Sequence, residues 1–200
     1  MCPNIESITV ASNNTVYDSR NNCNAIIKSD SDVLIAGCFN THIPDGITAI
    51  DVGAFMGCKQ LSSLVIPNSI NSIGEYAFEY CSGLSYIISE NTIPPLAINA
   101  FHELDSVIPV YVPVDCVEKY SKAEGWNQFQ NIVANAFIIS SSPENGVVDG
   151  LGTYKYGTII ELYAIPNEGY RFVKWSDEIT ENPRQIIVTE NFELLPLFEV

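Results

Sequence analysis

Apolar residues in the middle of the chain fall at positions that repeat. I-P-D-G-I-T-A-I-D-V-G-A-F-M-G-C-K-Q-L-S-S-L-V (43–65) is followed at once by I-P-N-S-I-N-S-I-G-E-Y-A-F-E-Y-C-S-G-L-S-Y-I-I (66–88), at a constant offset of 23 residues. Ile43 maps to Ile66, Ile47 to Ile70, Ile50 to Ile73, Ala54 to Ala77, Phe55 to Phe78, Cys58 to Cys81 and Leu61 to Leu84. A fixed period in the twenties with apolar residues at fixed phases predicts a solenoid. One unit cannot bury its apolar positions alone, so units must stack.

Each unit reads as a short strand, a turn and a compact arc. L-S-S-L-V-I (61–66) alternates as a strand with Leu61, Leu64 and Ile66 inward. Pro67 cannot donate to a ladder and ends it. Ile70 and Ile73 re-enter the core, and Gly74 permits a turn. Glu75 to Cys81 is too short for an independent helix and reads as one helical turn placing Ala77 and Phe78 inward. Coils stacked about 4.8 Å apart predict a ladder of Phe55, Phe78 and Phe101.

The phrase I-P-x-S-I-x-S-I-G-x-x-A-F-x-x-C-x-x-L-x-x-I, at Ile66 to Ile87, resembles the BspA-like leucine-rich repeats of bacterial surface proteins. The first repeat departs mildly, with Asp45-Gly46 and Asp51-Val52. A degenerate third unit is expected to keep Ile93, Leu96, Ala100, Phe101, Leu104, Val107 and Val110 at the inward phases, with Pro94-Pro95 rerouting a loop. Residues 108–133 resemble the C-terminal cap of such repeats: Asp115 caps a helix bearing Cys116, Val117, Tyr120 and Ala123, Gly125 ends it, and Trp126, Phe129 and Ile132 fold over the last coil.

Upstream the period is broken. Cys2-Ile5-Ile8 copies Cys58-Leu61-Leu64, so residues 2–10 read as the tail of a repeat ending in the strand I-E-S-I-T-V. Cys2 to Cys58 spans 56 residues, one period plus an insertion of 33. Within it, Cys23 to Ile27 and Val33 to Gly37 flank the polar turn K-S-D-S-D and predict a hairpin protruding from the solenoid edge. Residues 13–27 also resemble the long repeats of BspA-like proteins. Met1 falls in mid-repeat at the phase of Gly57, and Met1 to Asn4 has no apolar leader, so upstream sequence is expected.

After residue 133 the repeat phase vanishes. Aliphatic and aromatic strands punctuated by Gly150, Gly152 and Gly157 predict a small β-rich domain. The phrase L-Y-A-I-P-N-E-G-Y-R-F-V-K-W-S-D (162–177), with N-P-R-Q-I-I-V-T-E-N-F-E-L (182–194), resembles the internalin-B-repeat-like modules of bacterial surface proteins, whose fold is β-grasp-like. The expected architecture is therefore a leucine-rich-repeat β-solenoid with short helical turns over residues 1–133, with its hairpin insertion at about 11–42 and its cap at 108–133. A small β-rich, β-grasp-like domain follows over 134–200.

A net charge of −15 disfavours nucleic acid and anionic membrane surfaces as partners. No apolar run approaches the ~20 residues of a membrane span. The Cys58/Cys81 column reads as small buried apolar residues. Cys23 and Cys38 are the disulfide candidates, and Cys116 is left over. Asp18, Asn21, Asn22, Asp30 and Asp32 lack the glycine and closing glutamate of an EF-hand and read as turn formers. The two histidines, His42 and His102, lie coils apart, and no catalytic or nucleotide-binding motif is present. The reading is a non-enzyme with no cofactor and no metal.

The outward phases of the repeat strands carry Ser62, Ser63 and Val65, then Ser85, Tyr86 and Ile88, then Ile108, Pro109 and Tyr111, with Glu6, Ser7 and Thr9 upstream. Val65, Tyr86, Ile88 and Tyr111 form a candidate exposed apolar-aromatic binding stripe of the kind solenoids use for recognition. Contact with the C-terminal domain or a dimer mate explains the same pattern. The family resemblance implies extracellular recognition or adhesion at a bacterial cell surface. The implied partner is a host matrix protein, a neighbouring cell or a glycan; the alternatives are a structural spacer and a carbohydrate-binding surface protein.

Overall fold

In the computed structural model, which describes residues 5–200, the duplicated block winds into coils whose equivalent residues lie over one another. The Phe55 and Phe78 rings stack at 5.0 Å between centroids and 14° between planes. Phe78 and Phe101 repeat this at 5.6 Å and 14°. The coils contribute to two sheets, in which strands of successive coils pair in parallel. In chain order the strands of this unit are β1 (Tyr17–Asp18), β2 (Ala25–Lys28), β3 (Val33–Gly37), β4 (Ala49–Ile50), β5 (Ser63–Ile66), β6 (Ser72–Ile73), β7 (Tyr86–Ser89), β8 (Val110–Val112) and β9 (Ile132–Ala134). The first sheet has the order β5-β7-β8-β9 and the second β1-β2-β3-β4-β6. The core between them runs unbroken from Cys23 to Phe129.

The arc between the sheets is a run of tight turns rather than a helical turn. Backbone bonds Ala77 N to Gly74 O, Glu79 N to Tyr76 O and Cys81 N to Phe78 O close it. The arc needs left-handed backbone at two phases. Gly53 (φ 64°), Tyr76 (59°) and Asn99 (54°) share the first; Gly57 (73°), Tyr80 (58°) and Glu103 (59°) share the second. Glycine adopts that region freely, whereas tyrosine is strained there.

The insertion does not protrude. β3 pairs in parallel with β4, Leu34 opposite Ile50, so the hairpin of β2 and β3 extends the second sheet. Cys23, Ala25, Ile27 and Leu34 are fully buried in the common core. The apolar side of the hairpin is satisfied only by joining that core, which is why it folds in. Its polar turn is tied by Arg20, whose guanidinium bridges Asp18 (2.7 Å) and Asp32 (2.6 Å).

Residues 5–10 are not a strand. The Glu6 carbonyl accepts from the Asn40 side chain and the Cys38 thiol, so side chains occupy what a ladder would use. The Cys2 phase lies outside the described residues.

The third unit keeps only part of its expected phases. Ala100, Phe101 and Val110 are fully buried, but Ile93, Leu96 and Val107 are largely exposed. Ser72 bridges Leu96, so Ala97 rather than Leu96 lies opposite Ile73 and points inward. One residue added before the bridge reverses which side chain faces the core. Ile108 packs on the core in place of Val107.

The cap closes the last coil. Cys116, not Asp115, occupies the N-cap position of helix α1 (Val117–Lys122) and makes no side-chain capping bond; Asp115 is itself left-handed at φ 67°. The helix stops before Gly125, with Ala123 already extended. Trp126 is fully buried, 4.9 Å from the Phe101 ring, and donates Nε1–H to Pro95 O at 2.8 Å. Ser89, which replaces the repeat isoleucine at the Ile66 phase, is buried against the Tyr120 hydroxyl at 2.6 Å; that hydroxyl also donates to Asn91 O. The polar residue is thus satisfied inside the core.

The chain divides into two compact units, Met1–Ala134 and Asn135–Val200. The second unit is all strand: β10 (Phe137–Ser140), β11 (Gly146–Asp149), β12 (Gly152–Tyr154), β13 (Ile159–Pro166), β14 (Arg171–Trp175), β15 (Arg184–Ile187), β16 (Phe192–Glu193) and β17 (Pro196–Glu199). They form small sheets β12-β10-β16, β11-β13-β15 and β14-β17. Its own core gathers Ile139, Leu162, Trp175, Val188 and Phe198. Trp175 Nε1 donates to Glu181 O, and Arg184 lies over its ring, held by both Asp177 oxygens at 2.8 Å.

Candidate functional site

The strand pattern that buries Leu64, Ile66, Ile87 and Val110 sends the alternate side chains outward. Register fixes their order across the first sheet. Val65 lies opposite Ile88, Ile88 opposite Tyr111, and Tyr111 opposite Val133. Ser63 lies opposite Tyr86. The apolar ladder proposed from the repeat is therefore contiguous through the backbone, and the cap adds Val133 to it. The repeat pattern alone places Ile132 in the lid and does not point to Val133; the alternation I-V-A is the signal that finds it.

The ladder is not uniformly open. Val65 is 46% exposed, Tyr86 and Ile88 are half-buried, and Tyr111 is covered at 9%. The sequence reading placed all four in solvent. Tyr111 lies on an inner strand flanked by β7 and β9, and the Tyr86 ring meets it at 6.2 Å and 62°. The accessible end of the stripe is at Val65 and Ile88.

Beside Val65 the sheet ends. β5 pairs with β7 on one side and, among the described residues, with no strand on the other. A groove of about 360 Å³ runs along this edge, walled by His42, Ile43, Leu61 and Leu64, with Asp45 and Glu90 at its rim.

Most of the remaining polar groups named in the sequence are engaged or buried. His102 Nδ1 lies 2.8 Å from Glu79 Oε1, one coil away, while His42 lines the β5 groove. The two imidazoles do not meet. Arg20 holds the Asp18 carboxyl far below the usual carboxylate range, chiefly by its side-chain hydrogen bonds. Burial raises the Cys23 and Cys58 thiols and pushes Cys81 up to about 12, which keeps them as thiols rather than nucleophilic thiolates. Among the described residues all five cysteines are free, Cys23 and Cys38 included. Cys38 Sγ instead contacts Asn24 O at 3.6 Å. No cluster of three or more His, Cys, Asp or Glu side chains suited to a metal ion occurs among them. No helix among them is long and apolar enough to cross a membrane.

Comparison with known families gives two matches. Residues 36–142 match the BspA type leucine rich repeat region, in six copies. Residues 138–193 match the divergent InlB B-repeat domain. No curated protein and no solved structure matches the chain.

Proposed function

Since the chain belongs to the BspA-type leucine-rich-repeat family, with an InlB B-repeat domain behind its repeats, we propose that it is an extracellular recognition or adhesion protein of a bacterial cell surface. Leucine-rich-repeat domains generally mediate protein binding and are generally non-catalytic, and both families are typical of bacterial surface proteins. The observation that carries the reading is the outward Val65–Ile88–Tyr111 ladder across paired strands, with Tyr86 beside it. Apolar and aromatic side chains held in fixed register on a rigid sheet are suited to anchor a protein partner at low entropic cost. The partner is an extracellular protein, from host matrix or a neighbouring cell, and the anchors are Val65, Tyr86 and Ile88, with Tyr111 beside them on the adjacent strand.

The test is a binding screen against extracellular matrix proteins and glycans, run with the wild type beside Val65→Asp and Tyr86→Ala. A matrix protein captured by the wild type and lost at least ~10-fold in both variants supports the reading. Binding that survives both substitutions unchanged removes the stripe as the site. Capture of glycans alone favours the carbohydrate-binding alternative.

A further inference from the structure

The edge of β5 carries an unfinished hydrogen-bond ladder. In its parallel register with β7, the main chain of Leu64 and Ile66 turns toward β7, and Glu90 N donates to Ile66 O at 3.0 Å. Alternation along a strand then directs the N–H and C=O groups of Ser63 and Val65 to the opposite, open side. No backbone partner meets them there among the described residues.

The chain has residues at the right phase to fill this edge. Thr41 and His42 stand 23 residues before Leu64 and Val65. They are held elsewhere by the inserted hairpin. His42 N donates to Cys23 O at 3.1 Å, Thr41 N to Cys38 O at 3.0 Å, and Thr41 Oγ1 to Asn24 O at 2.6 Å. The insertion that extends the second sheet thus withdraws the neighbour strand from the first. A groove of about 360 Å³ is left between Ile43 and Leu64, within the range of ligand sites.

We infer that the open edge of β5 is a docking site for an extended, basic polypeptide segment that joins the sheet as a further strand. Donors and acceptors alternating at the strand repeat are matched by another extended backbone, which selects a peptide over a sugar or a small anion. The exposed carboxylates of Asp45 and Glu90 rim the groove, in a chain of net charge −15, and select lysine or arginine at its ends. This surface is additional to the outward stripe: it uses the Val65 main chain, not the Tyr86 side chain, and stands whether or not the stripe binds a matrix protein.

The test titrates the ¹⁵N-labelled full chain with an end-blocked hexapeptide of alternating valine and lysine, following amide shifts. Saturable shifts centred on Ser63 and Val65 are expected. Methylating the peptide's valine nitrogens is expected to weaken binding at least ~10-fold, because ladder donors are lost. Val65→Pro is expected to abolish it while leaving the fold intact, since the Val65 N–H lies outside the β5–β7 ladder. Asp45→Asn with Glu90→Gln is expected to weaken it several-fold, and Tyr86→Ala to leave it unchanged. The inference is overturned by equal affinity for the valine-glutamate peptide, by indifference to methylation or to Val65→Pro, or by shifts away from the edge. Concentration-dependent pairing of Val65 amides without peptide overturns it in favour of a second copy of the chain.

Discussion

Gly37 lies directly against the ring of Phe55, so close that a Cβ on Gly37 would come within 2.1 to 2.9 Å of three ring carbons. Gly37 has no left-handed backbone to explain it; the constraint is space alone. Phe55 cannot retreat, because its other face is stacked on Phe78. Gly37→Ala is therefore expected to destabilise the solenoid by about 1–3 kcal/mol, the usual cost of overpacking. Urea denaturation followed by circular dichroism measures it, and an unchanged midpoint would contradict the contact.

Phe78 is the rung with a neighbour on both sides, at 5.0 and 5.6 Å. Its loss leaves a cavity between two coils that cannot approach one another, because their strands set the spacing. Phe78→Ala is expected to cost about 3–5 kcal/mol. The same denaturation assay applies, and a cost below that of Gly37→Ala would argue against a shared ladder.

Tyr80 holds φ 58° at the phase where the preceding coil has Gly57. A non-glycine residue there carries roughly 1–2 kcal/mol of strain. The side chain is 46% exposed, so its packing is modest. Tyr80→Asn keeps a side chain while tolerating the left-handed region, and is expected to raise stability by up to about 1 kcal/mol. A lowered thermal midpoint would show that the ring's contacts outweigh the backbone.

The core sets an alkaline limit. Burial pushes Cys81 and Tyr120 each up to about 12, above their ordinary values. Between roughly pH 9 and 12 the unfolded chain has lost these protons and the folded chain has not, so the unfolded state binds fewer protons and stability falls as pH rises. The contribution is complete below about pH 9 and gone near 12. Stability measured across this range is expected to decline by a few kcal/mol, and less steeply in Cys81→Ala and Tyr120→Phe. A slope identical in all three proteins would exclude both groups.

Much of the solenoid was legible because its contacts are one-dimensional. A residue and its equivalent 23 positions later must meet if the units stack, so Phe55, Phe78 and Phe101 named their own neighbours. The lid was legible for a related reason: Trp126 and Phe129 are too large and apolar to leave over an open coil. The third unit was misread at Leu96 because the apolar pattern tolerates a one-residue shift that the bridge to Ser72 does not. Ser89 stands at the phase where the preceding coil has Ile66, and its partner Tyr120 is 31 residues away, so nothing local announces that it is satisfied in the core.

The sequence by itself determined the period, the residues that face inward within the two clean repeats, and the change of character after residue 133. Those follow from side-chain polarity and spacing, which are written along the chain. Tertiary structure alone decided where the insertion goes, that Tyr111 is covered while Val65 is open, and that β5 is left as an edge. These depend on which backbone N–H and C=O groups find partners. Every residue but proline carries the same two groups, so no side-chain pattern records the choice.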